Sequence, residues 1–178
     1  MSEIIDIKIY EPKSRDIFFF DNNIWMLLYC PIGNYHSKKQ KEYSAFYKLI
    51  LQSKASVFVN SLVLSEFCNA WLRLEFNQWK KDPKHISADY KKDFVPTETF
   101  KQTVEDIKPI VKRIIQSSHQ AADDFNSINI DNIFRHFGMV DFNDSYYVEL
   151  ALRNGWKIVT DDRDFHKVTS SVICITAI

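Results

Sequence analysis

Four short apolar runs, rich in β-branched and aromatic residues and separated by segments of helical spacing, constrain this chain more than any other feature. They are residues 16–20 (DIFFF), 55–59 (ASVFV), 156–160 (WKIVT) and 172–176 (VICIT). Runs of this kind suit strands buried on both faces. Between them, residues 61–79 place Leu64, Phe67, Cys68, Trp71 and Leu74 at helical intervals, and Asn60 or Ser61 can cap the start. Residues 143–154 open on a capping residue and stop at Gly155, the residue type that ends helices in the left-handed conformation. Strands alternating with helices imply an α/β fold: a three-layer α/β/α sandwich around a mostly parallel central sheet.

The middle of the chain is less regular. Residues 80–96 are polar, contain Pro83 and Pro96, and read as an exposed excursion rather than a linker. Residues 97–118 have a helical pattern interrupted by Pro109, which predicts a kink or a break. Residues 131–137 predict a further short helix ended by Gly138. A chain of 178 residues, 46% hydrophobic and with only 3 Gly and 5 Pro, is expected to form one domain over 1–178 around one core.

Several classes are disfavoured at this level. No stretch approaches the roughly 18 to 20 apolar residues of a spanning helix, and residues 1–10 alternate where a secretion signal has an apolar core. A cytoplasmic protein without membrane contact is expected. Cys30, Cys68 and Cys174 form neither a disulfide framework nor a C-x-x-C pair and read as small hydrophobes. His36, His85, His119, His136 and His166 show no zinc spacing. Basic and acidic residues balance at 23 each, so net charge does not argue for nucleic acid. Committing four acids to a metal leaves 19 against 23, a mild basic bias.

The acids carry the chemistry. Asp21 directly follows the first apolar run and Asp162 follows the third after one residue. In open α/β sheets the functional crevice lies beyond the carboxyl ends of the strands, so both face one edge. Glu66 and Asp144 lie in the first turns of helices that open onto that same edge. Clustered carboxylates repel one another unless a cation neutralises them, and a hard divalent ion with oxygen ligands is the natural occupant. Mg²⁺ or Mn²⁺ is therefore expected. At any single position a turn former or helix-dipole partner is the ordinary alternative.

The order of these acids resembles a known family. FFFDNNIW (18–25), SLVLSEF (61–67) and DFNDSYYVELALRNGWKIVTDDRDF (141–165) resemble the PIN-domain ribonucleases, which include the VapC-type toxins of bacterial toxin–antitoxin pairs. The resemblance covers residues 16–178 in element order, with no matching motif in 79–137. It implies Asp21, Glu66, Asp144 and Asp162 as the catalytic, metal-binding tetrad. Asn23 takes the place of the polar residue beside the first acid, and Thr160 that of the hydroxyl before the last. Asn22 departs from the family's usual Thr or Ser. Asp141 reads as a turn or cap, and Asp164 as a fifth candidate carboxylate if an extended chain alternates it with Asp162, with Asp161 then facing away.

The expected reaction is metal-dependent endonucleolytic hydrolysis of RNA, with an antitoxin protein as the partner if the chain is a toxin. A non-catalytic PIN-like RNA- or protein-binding module is the alternative, although such a module usually loses one or more acids. A haloacid-dehalogenase-type phosphatase would need D-x-D where this chain has Asp21-Asn22-Asn23. A receiver domain would need paired acids after its first strand and a late lysine. Lys80, Lys81 and Lys84, interleaved with Trp79, His85 and Tyr90, are candidate RNA contacts, against an ordinary solvated loop. Trp71 and Trp79 on one long helix suggest aromatic surface left for a homodimer.

Overall fold

The computed structural model describes residues 2–32 and 37–177; His36 lies outside them. Six strands form one sheet: β1 (Glu3–Asp6), β2 (Ile17–Phe20), β3 (Ser56–Val59), β4 (His119–Gln120), β5 (Lys157–Val159) and β6 (Ile173–Thr176), in the order β1-β6-β5-β2-β3-β4. Every neighbouring pair is parallel. The helices are α1 (Asn22–Tyr29), α2 (Ser37–Ser53), α3 (Ser61–Trp79), α4 (Glu98–Ser117), α5 (Ile130–His136) and α6 (Phe142–Asn154).

The central strand shows why both faces are covered. Phe18, Phe19 and Phe20 are all buried, and alternation sends successive rings to opposite layers. Phe18 packs edge-on against Phe46 of α2, and Phe20 meets Trp25 of α1 and Tyr47 of α2. Phe19 turns the other way, onto Tyr147 of α6 and Trp156. The expected α/β/α sandwich follows. The four apolar runs became β2, β3, β5 and β6. The edge strands β1 and β4 carry no apolar run: β1 is half-exposed EIID, and β4 is the exposed pair His119–Gln120.

Gly155 ends α6 with φ +66°, its N–H bonding back to Leu152 O. The break foreseen at Pro109 does not occur; α4 continues through it. Pro109 sits on the exposed face, where a carbonyl that loses its partner meets water, while Thr103, Ile107 and Ile114 hold the buried face.

Residues 80–96 are mostly exposed and carry short helical turns. A 3₁₀ turn (Pro83–His85) and a π-helical turn (Tyr90–Phe94) bring Phe94 to full burial against Phe76, Trp79 and Phe100. The Trp79 and His85 rings stack with centroids 3.7 Å apart. Trp71 is buried as well. The aromatic surface that suggested self-association is thus satisfied within the chain. No helix among the described residues is long and apolar enough to cross a membrane.

Candidate functional site

The chain runs from β2 outward to β3 and β4, then returns to the other side of β2 as β5. The β2–β5 junction is therefore a topological switch point, where open α/β sheets form their crevice. Asp21 leaves β2 there, its N–H still bonding to Val159 O at 3.0 Å, and Thr160 leaves β5 beside it. The Thr160 hydroxyl donates to Asp21 Oδ2 at 2.7 Å and accepts from Asn23 Nδ2 at 3.1 Å and from the Asp162 N–H at 3.0 Å. Asn23 Nδ2 also reaches Asp21 Oδ2 at 2.5 Å, and its Oδ1 accepts the Asp161 N–H at 3.0 Å. Asn23 and Thr160 thus share one oxygen of Asp21 and fix the turn carrying Asp162.

Glu66 approaches from α3, whose start is capped by Asn60 Oδ1 accepting from Val63 N at 2.9 Å. Asn143 Nδ2 donates to Glu66 Oε1 at 2.5 Å and the Tyr147 hydroxyl to Oε2 at 2.8 Å. Sequence reasoning missed both partners. Asp141 Oδ1 caps α6 by accepting from Asp144 N at 2.9 Å, and Asp144 sits inside the first turn. After Thr160 the chain does not stay extended. It curls into a 3₁₀ turn (Arg163–Lys167) in which Asp162 Oδ1 accepts from Asp164 N, so the alternation behind a fifth carboxylate is absent. Asp164 instead pairs with Lys167 at 2.6 Å. Asp161 turns to Lys39 at 2.7 Å and to the Tyr43 hydroxyl at 3.1 Å. Tyr43, also missed, donates to Thr160 O at 3.0 Å and accepts from Ala177 N at 2.9 Å.

Electrostatics tie the four acids together. Burial, then the Glu66 and Asp162 charges, push Asp21 up to about 7 against the pull of the Thr160 hydrogen bond. Burial, then Asp21, Asp141, Asp162 and Glu66, push Asp144 up to about 9. Tyr147 is raised by burial and by the Glu66 carboxylate it serves. Among the described residues no Lys, Arg or His forms an ion pair with Asp21, Glu66, Asp144 or Asp162. Nor do three His, Cys, Asp or Glu side chains already stand in a geometry that would hold one ion. The donor set nevertheless fits Mg²⁺ or Mn²⁺. It consists of hard carboxyl oxygens with no cationic partner among the described residues, and Asn22 Oδ1 beside them is buried without a partner. Mg²⁺ keeps several waters and needs only one or two carboxylates directly.

A cleft of about 490 Å³ adjoins this edge, lined by Asn22, Asn23, Met26, Arg73, Asn77 and Asp161. A larger cleft, about 720 Å³ between residues 7–12 and α2, contains none of the four acids.

Residues 19–170 match the family model of the PIN domain. The chain belongs to the PIN-domain family. PIN domains are generally nucleases and typically use divalent metal ions. This PIN domain is similar in structure to a chain of the VapBC2 complex from Rickettsia felis, solved bound to a DNA fragment from its promoter. The TM-score is 0.54 at 11% identity, covering 89% of this chain and 98% of that one. It is also similar to PAE2754 from Pyrobaculum aerophilum, with TM-score 0.44 at 16% identity, covering 95% and 90%. At these identities the likeness is one of fold. No curated protein matches the chain.

Proposed function

We propose that this PIN domain is a metal-dependent endoribonuclease, with Asp21, Glu66, Asp144 and Asp162 as its catalytic, ion-binding carboxylates. The observation that carries this reading is mutual electrostatic coupling. Asp21 and Asp144 are each raised by the other acids at the β2–β5 switch point, and among the described residues no cationic side chain forms an ion pair with any of the four. Mg²⁺ or Mn²⁺ bound there would supply Lewis acidity to a water and to the phosphate under attack. The chain's own groups do the rest. Asp21 and Asp144 are ion ligands that keep a proton near neutral pH when no ion is present. Asn143 and Tyr147 hold Glu66, while Asn23 and Thr160 hold Asp21 and the Asp162 turn, so the carboxylates are oriented before substrate arrives. Asp164 would join them only once its ion pair with Lys167 opens.

Lys80, Lys81 and Lys84 are the proposed distal RNA contacts. They begin beyond the end of α3, about 20 Å along the axis from Glu66. The cleft lined by Asn23, Arg73 and Asn77 leads along α3 toward them. Lys80 Nζ already lies 5.4 Å from the Phe76 ring centroid, leaving Lys81 and Lys84 the freer of the three. Free, unpaired cysteines suit a cytoplasmic protein.

The toxin of a toxin–antitoxin pair is the biological setting that the fold likeness supports, with an antitoxin protein and a second copy of the chain as partners. A small antitoxin-like reading frame immediately upstream would support that setting. The deciding experiment is cleavage of mixed RNA with Mg²⁺ or Mn²⁺ by the wild type, Asp21→Asn and Asp162→Asn. Loss in both variants with unchanged fold is expected. Equal cleavage by all three removes the assignment, and no cleavage by any favours a non-catalytic RNA- or protein-binding module.

A further inference from the structure

The rings of Trp79, His85 and Tyr90 pack on one another and on Phe76 and Phe94. An open aromatic surface stands elsewhere. Phe134, Phe137 and Phe142 are 53%, 55% and 38% exposed. Their centroids are 6.3 Å apart from Phe134 to Phe137 and 6.1 Å from Phe137 to Phe142, the latter pair nearly perpendicular at 79°. Phe142 is the first residue of α6. Asn143, which holds Glu66, and Asp144 follow it directly, so the patch borders the proposed catalytic acids.

The support beneath these rings is rigid. Phe137 N bonds to Ile133 O, and both Met139 N and Val140 N bond to His136 O. Gly138 closes this turn with φ +104°, a conformation that other residues resist. Ile133, His136 and Val140 are buried below, and His136 Nε2 lies 3.1 Å from Glu149 Oε1 of α6. Arg135, in the last turn of α5, lines a separate cleft with Glu149, Leu152 and residues 169–171. The chain therefore presents three aromatic rings across the fixed junction of α5 and α6.

We propose that Phe134, Phe137 and Phe142 form a stacking platform for an unpaired base of the substrate RNA flanking the scissile phosphodiester. This rests on the nuclease reading and specifies how its substrate is seated. Exposed rings next to the proposed catalytic acids match the unstacked bases of a single strand. A second copy of the chain is the weaker occupant. The three rings expose on the order of 300 Å², given 150–250 Å² per aromatic side chain, against the ~800 Å² per partner of a stable interface.

The test measures binding of a short fluorescein-labelled single-stranded RNA on the cleavage-dead Asp21→Asn background, with Tm recorded for every variant. Phe137→Leu with Phe142→Leu should weaken binding about 5- to 150-fold for one stacked base. Phe137→Tyr with Phe142→Tyr should retain it, and an abasic strand of equal length should bind all variants alike. Wild-type affinity in the folded Leu pair overturns the platform. So does a wild-type dimer that Phe137→Ser with Phe142→Ser converts to a monomer, which would assign the patch to a second copy. Cleavage is scored separately with Asp21 intact. A protein that binds RNA through the patch yet never cuts it overturns the nuclease reading alone.

Discussion

The Tyr147 hydroxyl donates to Glu66 Oε2 at 2.8 Å, joining α6 to α3 across the mouth of the switch point. Tyr147 is also buried against Phe19, so one side chain serves both core and site. Tyr147→Phe keeps the ring packing and removes only the bond to a charged acceptor, an interaction worth about 1.5–3 kcal/mol. A fall in kcat of roughly ten- to hundredfold is expected, together with a Tm lower by about 3 to 12 °C, because the fold loses the same bond. Undiminished kcat would show that Glu66 is oriented without it.

The ion-free protein should lose stability as pH rises. Asp21 and Asp144 bind protons more tightly folded than unfolded. Their contribution is therefore complete below the ordinary Asp value of about 4, and is lost as pH passes through about 7 and then about 9. In EDTA, Tm should fall between about pH 5 and 9, and Asp144→Asn should flatten that fall. A Tm that holds or climbs over this range contradicts the coupled-acid site.

Mg²⁺ should reverse that loss. With a Kd near 0.1 mM, 10 mM ion stabilises the fold by about 2.7 kcal/mol through mass action. Calorimetry on the wild type and Asp21→Asn reads this directly, and the shift should shrink in the variant. Absence of binding at millimolar ion would remove the metal while leaving the fold assignment intact.

Asp141 and Asp144 should separate cleanly. Asp141 Oδ1 caps α6, so Asp141→Ala should cost about 1 kcal/mol of stability and leave most activity. Asp144→Asn should do the reverse, abolishing cleavage and raising ion-free Tm. The opposite ranking in paired kinetic and melting measurements would exchange their roles.

Neutralising Lys80, Lys81 and Lys84 together should flatten the salt dependence of RNA binding by about two to three phosphate contacts, with metal affinity unchanged. A wild-type salt slope in the triple variant would route the RNA away from the end of α3.

The sheet was legible wherever burial on both faces leaves no polar alternation, as in IFFF, SVFV and ICIT. The edge strands were not, because β1 is half-exposed and the two-residue β4 is exposed, so each resembles a loop. Pro109 misled for a related reason: a proline's cost depends on whether its helix face meets water or core, and only packing decides that. In 80–96, the lysines and aspartates masked Phe94, which has the surface of Phe76, Trp79 and Phe100 to bury itself in.

Local chemistry in the sequence was sufficient to set the strand ends, the helix starts and the left-handed stop at Gly155, and with them the common edge for Asp21, Glu66, Asp144 and Asp162. Each of these depends on residues within a few positions of one another. What converges at that edge depends on contacts between residues far apart in the chain: Asn143 and Tyr147 on Glu66, and Tyr43 on Thr160. Only tertiary structure decided these, because a side chain's hydrogen-bond partner is chosen by the packing of helices on the sheet, which no spacing along the chain records.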